Sequence, residues 1–270
     1  MDGSIYFKTE QEISFIRKSS LLVSKTLAEI TKLIQPGIST LELDAVAECY
    51  IRKEGGVPSF LGYNGFPNTI CVSVNDCVLH GLPSEYIIQD GDVVSVDCGA
   101  NLNGYHGDAC FTFLVGNVAE NHYNLCKSAY ESLSCAIKIA HEGNRLGDIG
   151  FEIQNVAKSH GFGVVKQFGG HGIGKNLHES PIVRNFGRSR RGMKLLRGLT
   201  LAIEPMMTEY SSETFLSEDG WSVLTKDGGI AAHYEQTVAV RPYGAEILTD
   251  FCFVENQLKK NKFLWRSSLL

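Results

Sequence analysis

An α+β domain made of two similar halves, with helices covering a curved antiparallel sheet, is the fold this sequence predicts. Three things that each occur twice predict it: a pair of amphipathic helices, a histidine followed three residues later by proline, and a glycine-led apolar strand ending in a carboxylate.

The first helix opens at about Thr9. Thr9 and Glu12 have capping-box spacing, and Ile13, Ile16, Val23, Leu27, Ile30 and Ile34 recur at helical intervals up to Pro36-Gly37. Ser39 and Glu42 suit a second box, and that helix stops at Gly55-Gly56. From about Asn121 a new stripe begins, carrying Cys126, Ala129, Leu133, Ile137 and Ala140 up to Gly143. A shorter helix with Ile149, Ile153 and Val156 ends at Gly161, and the interval from Gly37 to Gly55 equals that from Gly143 to Gly161. "HGLP" at His80 is echoed by "HESP" at His178, and "GDVVSVD" (91–97) by "GLTLAIE" (198–204). This ordered agreement favours an ancient duplication over chance, with paired sites facing each other near a pseudo-two-fold axis. The expected organisation is a short extension (1–8), one domain (9–252, halves about 9–115 and 121–245) and a tail (253–270) to which the sequence assigns no role.

The chain has 270 residues, 43% of them hydrophobic and 20% charged, as in ordinary globular proteins. A net charge of -5 gives no global pull toward nucleic acid, and DNA is not an expected partner. No apolar run is long enough to span a bilayer and none follows the start as a leader would, so a cytoplasmic chain without membrane contact is expected. The 8 cysteines are scattered, several within strand-like runs, and none forms C-x-x-C. Reduced, mostly buried thiols are expected rather than a disulfide framework or a zinc finger.

The chemistry lies in the carboxylates. "VVSVDCGANLNGYHGDACFTF" reads as a hairpin, Val93–Asp97 and Tyr105–Phe113 about an "NLNG" turn, which brings Asp97 and Asp108 close to directly opposite. Like charges so placed are destabilising, and a bound divalent cation removes the conflict. Glu204 ends "LTLAIEP" and Glu235 lies in "AAHYEQTVAV". One acid beside a strand ordinarily points to water. Four that end or interrupt buried-looking strands demand a partner, because an unpaired buried carboxylate is costly. With His171 they make a set of one nitrogen and four carboxylates, suited to a two-metal, oxygen-rich site for Mn, Co, Fe or Zn.

The ordered segments "HGLP", "VDCGANLNGYHGDA", "GGHGIGKNLHESP", "AIEPM" and "HYEQTVAV" resemble the type I methionine aminopeptidases, a metallopeptidase family of pita-bread fold, over roughly residues 8–252. The resemblance implies that Asp97, Asp108, His171, Glu204 and Glu235 hold two divalent ions, and that Glu204 is the general base. It implies that His80 and His178 meet the substrate, the N-terminal methionine of a nascent chain with a small second residue. The segment "PSFLGYNGFPNTIC" aligns with the methionine pocket, giving Phe60, Tyr63, Phe66 and Cys71, joined by Leu177 and Trp221. Cys71 and Leu177 read equally well as plain core. Phe60 stands where some relatives have cysteine, and Leu177 where some have phenylalanine. A monomer is expected. The rival readings are an aminopeptidase P or prolidase-like enzyme, whose relatives carry an extra N-terminal domain, and a non-catalytic peptide-binding protein of the same fold, whose relatives lose ligands.

The remaining histidines are quieter. His106 reads as packing, and His122, His141 and His160 as solvated or capping groups at helix ends; His233 has a weaker claim to a place beside the site. Arg184, Arg188, Arg190, Arg191, Lys194 and Arg197 form a basic run that reads as a solvated face, with transient attraction to ribosomal RNA as the alternative.

Overall fold

The computed structural model describes residues 3–265. The first half runs α1 (Glu10–Thr31), α2 (Thr40–Lys53), β1 (Val57–Pro58), β2 (Ile70–Val74), β3 (Cys77–Leu79), β4 (Val93–Leu102) and β5 (Tyr105–Leu114). The second begins with α3 (Glu120–Ile139), α4 (Leu146–His160), β6 (Gly163–Val164), β7 (Gly169–Gly172), β8 (Glu179–Arg184) and β9 (Thr200–Ile203). It continues through β10 (Met206–Thr208), β11 (Thr214–Leu216), β12 (Val223–Thr225), β13 (Ala231–His233), β14 (Glu235–Arg241), β15 (Gly244–Ile247) and α5 (Cys252–Leu258).

Both predicted capping boxes form. Thr9 accepts from the Glu12 amide and Ser39 from that of Glu42, while each glutamate reaches back to the cap amide. Such a cap contributes about 1 kcal/mol. The first helix ends at Thr31, short of Pro36, and Gly161 closes α4 at φ 79°, where glycine is free of the Cβ clash.

The main sheet is antiparallel, in the order β1-β4-β5-β14-β9-β7-β8, with β2 also pairing β4 and β15 pairing β14. Outward from the β5–β14 boundary the order is β4, β2 on one side and β9, β7 on the other, which is the two-fold arrangement predicted from the repeat. The fold class is the expected one, a pita-bread α+β fold.

Side chains alternate across each strand, and that alternation splits the chemistry from the core. Val94, Val96 and Cys98 of β4, Ala109, Phe111 and Phe113 of β5, Val238 and Val240 of β14, and Leu201 and Ile203 of β9 join the apolar core with the helices. Asp97, Asp108, Glu235 and Glu204 fall on the opposite parity and so share the other face. The tail is part of the body: Val254 and Leu264 are buried, and Leu264 bridges to Val115.

Candidate metal centre

The sheet register sets the site. The β4–β5 turn is two residues, Asn103 and Gly104, both at positive φ (58° and 81°), so Leu102 pairs with Tyr105. Asp97 therefore faces Cys110 and Asp108 faces Gly99. This corrects the expectation that Asp97 and Asp108 stand directly opposite. Treating all of "NLNG" as turn misplaces the register by two residues, which preserves parity, and the two acids are diagonal neighbours on one face.

One rung across the sheet reads Cys71, Asp97, Cys110, Glu235, since each pairs with the next. Gln236 pairs with Ile203, which sets Glu204 one step on, beside Glu235. On the neighbouring rung the Thr237 hydroxyl donates to Asp108 O (2.8 Å) and accepts from its amide (3.1 Å), Thr237 pairs with Ala202, and Ala202 with His171. Four strands and the residue just after β9 thus bring the five side chains to two adjacent rungs.

Donor atoms of Asp108, His171 and Glu235 lie within 4.8 Å of one another, a group able to hold a metal ion. His171 Nδ1 donates to Gly172 O (2.9 Å), which leaves Nε2 with its lone pair 3.6 Å from Glu204 Oε1 and 3.9 Å from Asp108 Oδ2. Burial keeps this ring neutral, its pKa lowered to about 4. Asp97 Oδ1, Asp108 Oδ1 and Glu235 Oε1 are enclosed and have no hydrogen-bond partner in the protein. Enclosed carboxylate oxygens without donors fit a divalent cation, and the donor set is oxygen-rich with one imidazole.

Burial also pushes the acids up: Asp97 to about 7, and Asp108, Glu204 and Glu235 well above the carboxylate range, with mutual repulsion adding to each of the last three. The sign of the pH effect follows. As pH rises from about 4 to 7 the unfolded chain releases protons that the folded metal-free protein retains, so stability falls across that window. A bound cation would take the place of those protons. The rise in Tm on adding saturating Mn2+ is therefore expected to be larger at pH 8 than at pH 5.5; an equal or smaller rise at pH 8 would contradict a carboxylate-held cation.

Every residue named above as ligand, catalytic group or pocket wall lines one cleft, joined by Asn64, Leu79 and His233. Phe60, Phe66, Cys71 and Leu177 form a separate apolar cluster with Leu82 and Trp221 against it, so they are a small core of their own and a wall of the cleft at once. A Cβ on Gly99 would lie 2.6 Å from the Phe60 ring, so glycine there is what lets this ring in. His178 shares a hydrogen bond with the Tyr63 hydroxyl at 3.0 Å and stacks edge-on with His171, ring centroids 4.3 Å apart. Its pKa is lowered to about 3, by burial first and then by the neighbouring histidines. His80 holds a left-handed backbone, φ 57°, uncommon for a residue with a side chain and typical of functional positions.

His233 has a firmer place in the cleft than the sequence predicts. It ends β13, its Nε2 is buried without a hydrogen-bond partner, and it stands 3.8 Å from Glu204 Oε2. His106 is occupied, Nδ1 with Ser59 (2.8 Å) and Nε2 with Asn101 (2.9 Å), consistent with packing. His122 is less solvated than expected, 3.7 Å from Glu209, with Nδ1 enclosed. The cysteines are free thiols, five of them buried. No helix among the described residues is long and apolar enough to cross a membrane.

The sequence pattern of metallopeptidase family M24 matches residues 14–242. The chain belongs to this family. Among M24 relatives, a methionine aminopeptidase from Clostridium perfringens is 49% identical over 245 residues, 91% of this chain and 98% of that one. The crystal structure of methionine aminopeptidase from Thermotoga maritima superposes with a TM-score of 0.90 at 40% identity, covering 92% of this chain and 100% of that one. The X-Pro aminopeptidase from Thermotoga maritima shares the fold alone, with a TM-score of 0.71 at 22% identity over 62% of its chain.

Proposed function

We propose that this M24 protein is a methionyl aminopeptidase that removes the initiator methionine from nascent polypeptides with a small second residue. The observation that carries the reading is the convergence of Asp97, Asp108, His171, Glu204 and Glu235 on one cleft, beside an apolar pocket walled by Phe60, Tyr63, Phe66, Cys71, Leu177 and Trp221. Identities of 40–49% to several proteins named methionine aminopeptidase support it.

In this reading the five donors hold two divalent ions, with Co, Mn, Fe and Zn all compatible. When bound, the ions supply a water of lowered pKa and a partner for the substrate's α-amino group. Glu204 is the residue that would accept the attacking water's proton and pass it toward the leaving amine. With the Tyr63 hydroxyl donating to Nδ1, the neutral His178 ring carries its proton on Nε2, the tautomer that donates to the scissile carbonyl. His80 bonds the substrate's backbone nitrogen from the other side. Aromatic rings around a flexible thioether suit methionine. The six basic side chains from Arg184 to Arg197 are all exposed and supply charge for a transient contact with ribosomal RNA. The reading has the enzyme act as a cytoplasmic monomer.

A peptide panel tests the assignment. Met-Ala-Ser is expected to be cleaved well ahead of Leu-Ala-Ser and of Xaa-Pro peptides. Preference for Xaa-Pro would move the chain to the prolidase class, and no cleavage of any of them by metal-loaded protein would make it a binding protein.

A further inference from the structure

The turn that carries His178 is fastened from outside the catalytic sheet. Glu179, the next residue, is buried, and its Oε1 accepts from the Asn176 amide at 3.1 Å, closing the turn between β7 and β8. Its Oε2 accepts from the ammonium of Lys8, and both side chains are almost wholly enclosed, 3% and 4% exposed. Lys8 is itself held in place: its amide donates to Gly198 O at 2.7 Å and its ammonium to Tyr6 O at 3.1 Å. Ile5 bridges in parallel to Ser180 on the same strand as Glu179. A Cβ on Gly174 would lie 2.6 Å from Lys8 Cε and 2.7 Å from Glu179 Oε1, so the turn is glycine where the ion pair passes against it.

Lysine and glutamate are seldom enclosed unless paired, and an enclosed pair with further hydrogen bonds has one geometry. Here that geometry fixes both ends of a four-residue stretch, Asn176 through its amide and Glu179 through its carboxylate. His178 lies between, with ring contacts of its own to Tyr63 and His171. We propose that Lys8 and Glu179 are a positioning pair for His178, so that the segment at residues 5–8 acts as part of the active site. The proposal rests on the peptidase reading above for its activity arm. It does not touch substrate or metal, and acts through His178.

The test compares Lys8→Met, Lys8→Arg, the double variant Lys8→Met/Glu179→Leu, and Leu133→Ala, a core truncation in α3 that does not line the cleft. Lys8→Met is expected to keep the parent's metal content while kcat on Met-Ala-Ser falls about 10- to 100-fold, the scale of a misplaced catalytic group. KM is expected to stay within about threefold, since pocket binding is unchanged. Lys8→Arg restores the pair and most of kcat. The double variant removes the unpaired charge and recovers Tm, but kcat stays low. Leu133→Ala loses Tm and keeps kcat at 25 °C. Ring 15N signals of His178 give an arm independent of turnover: they shift in Lys8→Met and hold in Leu133→Ala. If the parent released no methionine, the peptidase reading would fail while this arm still judged the pair. Parent kcat and parent His178 signals in Lys8→Met, or recovery of kcat along with Tm in the double variant, would overturn the proposal.

Discussion

Glu204→Gln is expected to keep the fold and to lose methionine release by about 100- to 10,000-fold, the usual range for a missing general base. Glutamine has the shape of glutamate but cannot take a proton. Glu204 stands beside Glu235 on its rung, 3.6 Å from His171 Nε2 and 3.8 Å from His233 Nε2, which suits the proposed role. A second effect runs the other way. In metal-free protein four enclosed acids repel one another, and burial with repulsion already holds Glu204 well above the carboxylate range. A glutamine needs no proton to be buried, so the Tm of the chelated variant should rise above that of the chelated parent, while the gain in Tm from adding metal shrinks. A variant within tenfold of parent kcat, at equal metal content, would show that another group takes the proton.

The second large effect is a division of labour between neighbours in the cleft. Asp97→Ala is expected to lose metal and turnover together, because its Oδ1 is enclosed with no other partner and its rung joins Cys110 and Glu235. His178→Ala is expected to retain its metal and lose about 100- to 1,000-fold in kcat, the effect of deleting one donor to a developing oxyanion. His178 differs from His171 in just this respect. The His171 ring presents Nε2 to two carboxylates with Nδ1 tied to backbone, whereas His178 is tied to a phenol and faces the cleft. Metal analysis of both purified variants decides it: an empty His178→Ala site would contradict the split, and so would an Asp97→Ala variant with full metal.

Much of this was legible because parity is robust. Taking all of "NLNG" as turn starts it two residues early and shifts the register by two, yet Asp97 and Asp108 still fall on one face, since a shift of two leaves alternation unchanged. The caps at Thr9 and Ser39 and the stop at Gly161 are local signals, and local signals survive folding, whereas the first helix ends at Thr31 before its expected stop. His233 was harder to read. It lies two positions from Glu235, but Tyr234 intervenes between β13 and β14, and the two side chains reach the cleft from different sheets. Asn64 and Leu79 carry no signal that separates them from loop and core. The Lys8–Glu179 pair joins residues 171 positions apart, and neither lysine before a helix nor glutamate after a histidine marks itself as buried. Pairings of that span depend on how the N-terminal segment returns to the β8 edge, which no periodicity encodes.

The most direct measurement is the peptide panel run on one preparation in two states, chelator-stripped and then restored with a single divalent cation. The account predicts no methionine release from Met-Ala-Ser in the stripped state. Release should return on metal addition, in proportion to metal bound, with Leu-Ala-Ser and Xaa-Pro peptides left largely intact. Undiminished cleavage by verified metal-free protein, or restored activity directed at Xaa-Pro instead of methionine, would contradict it.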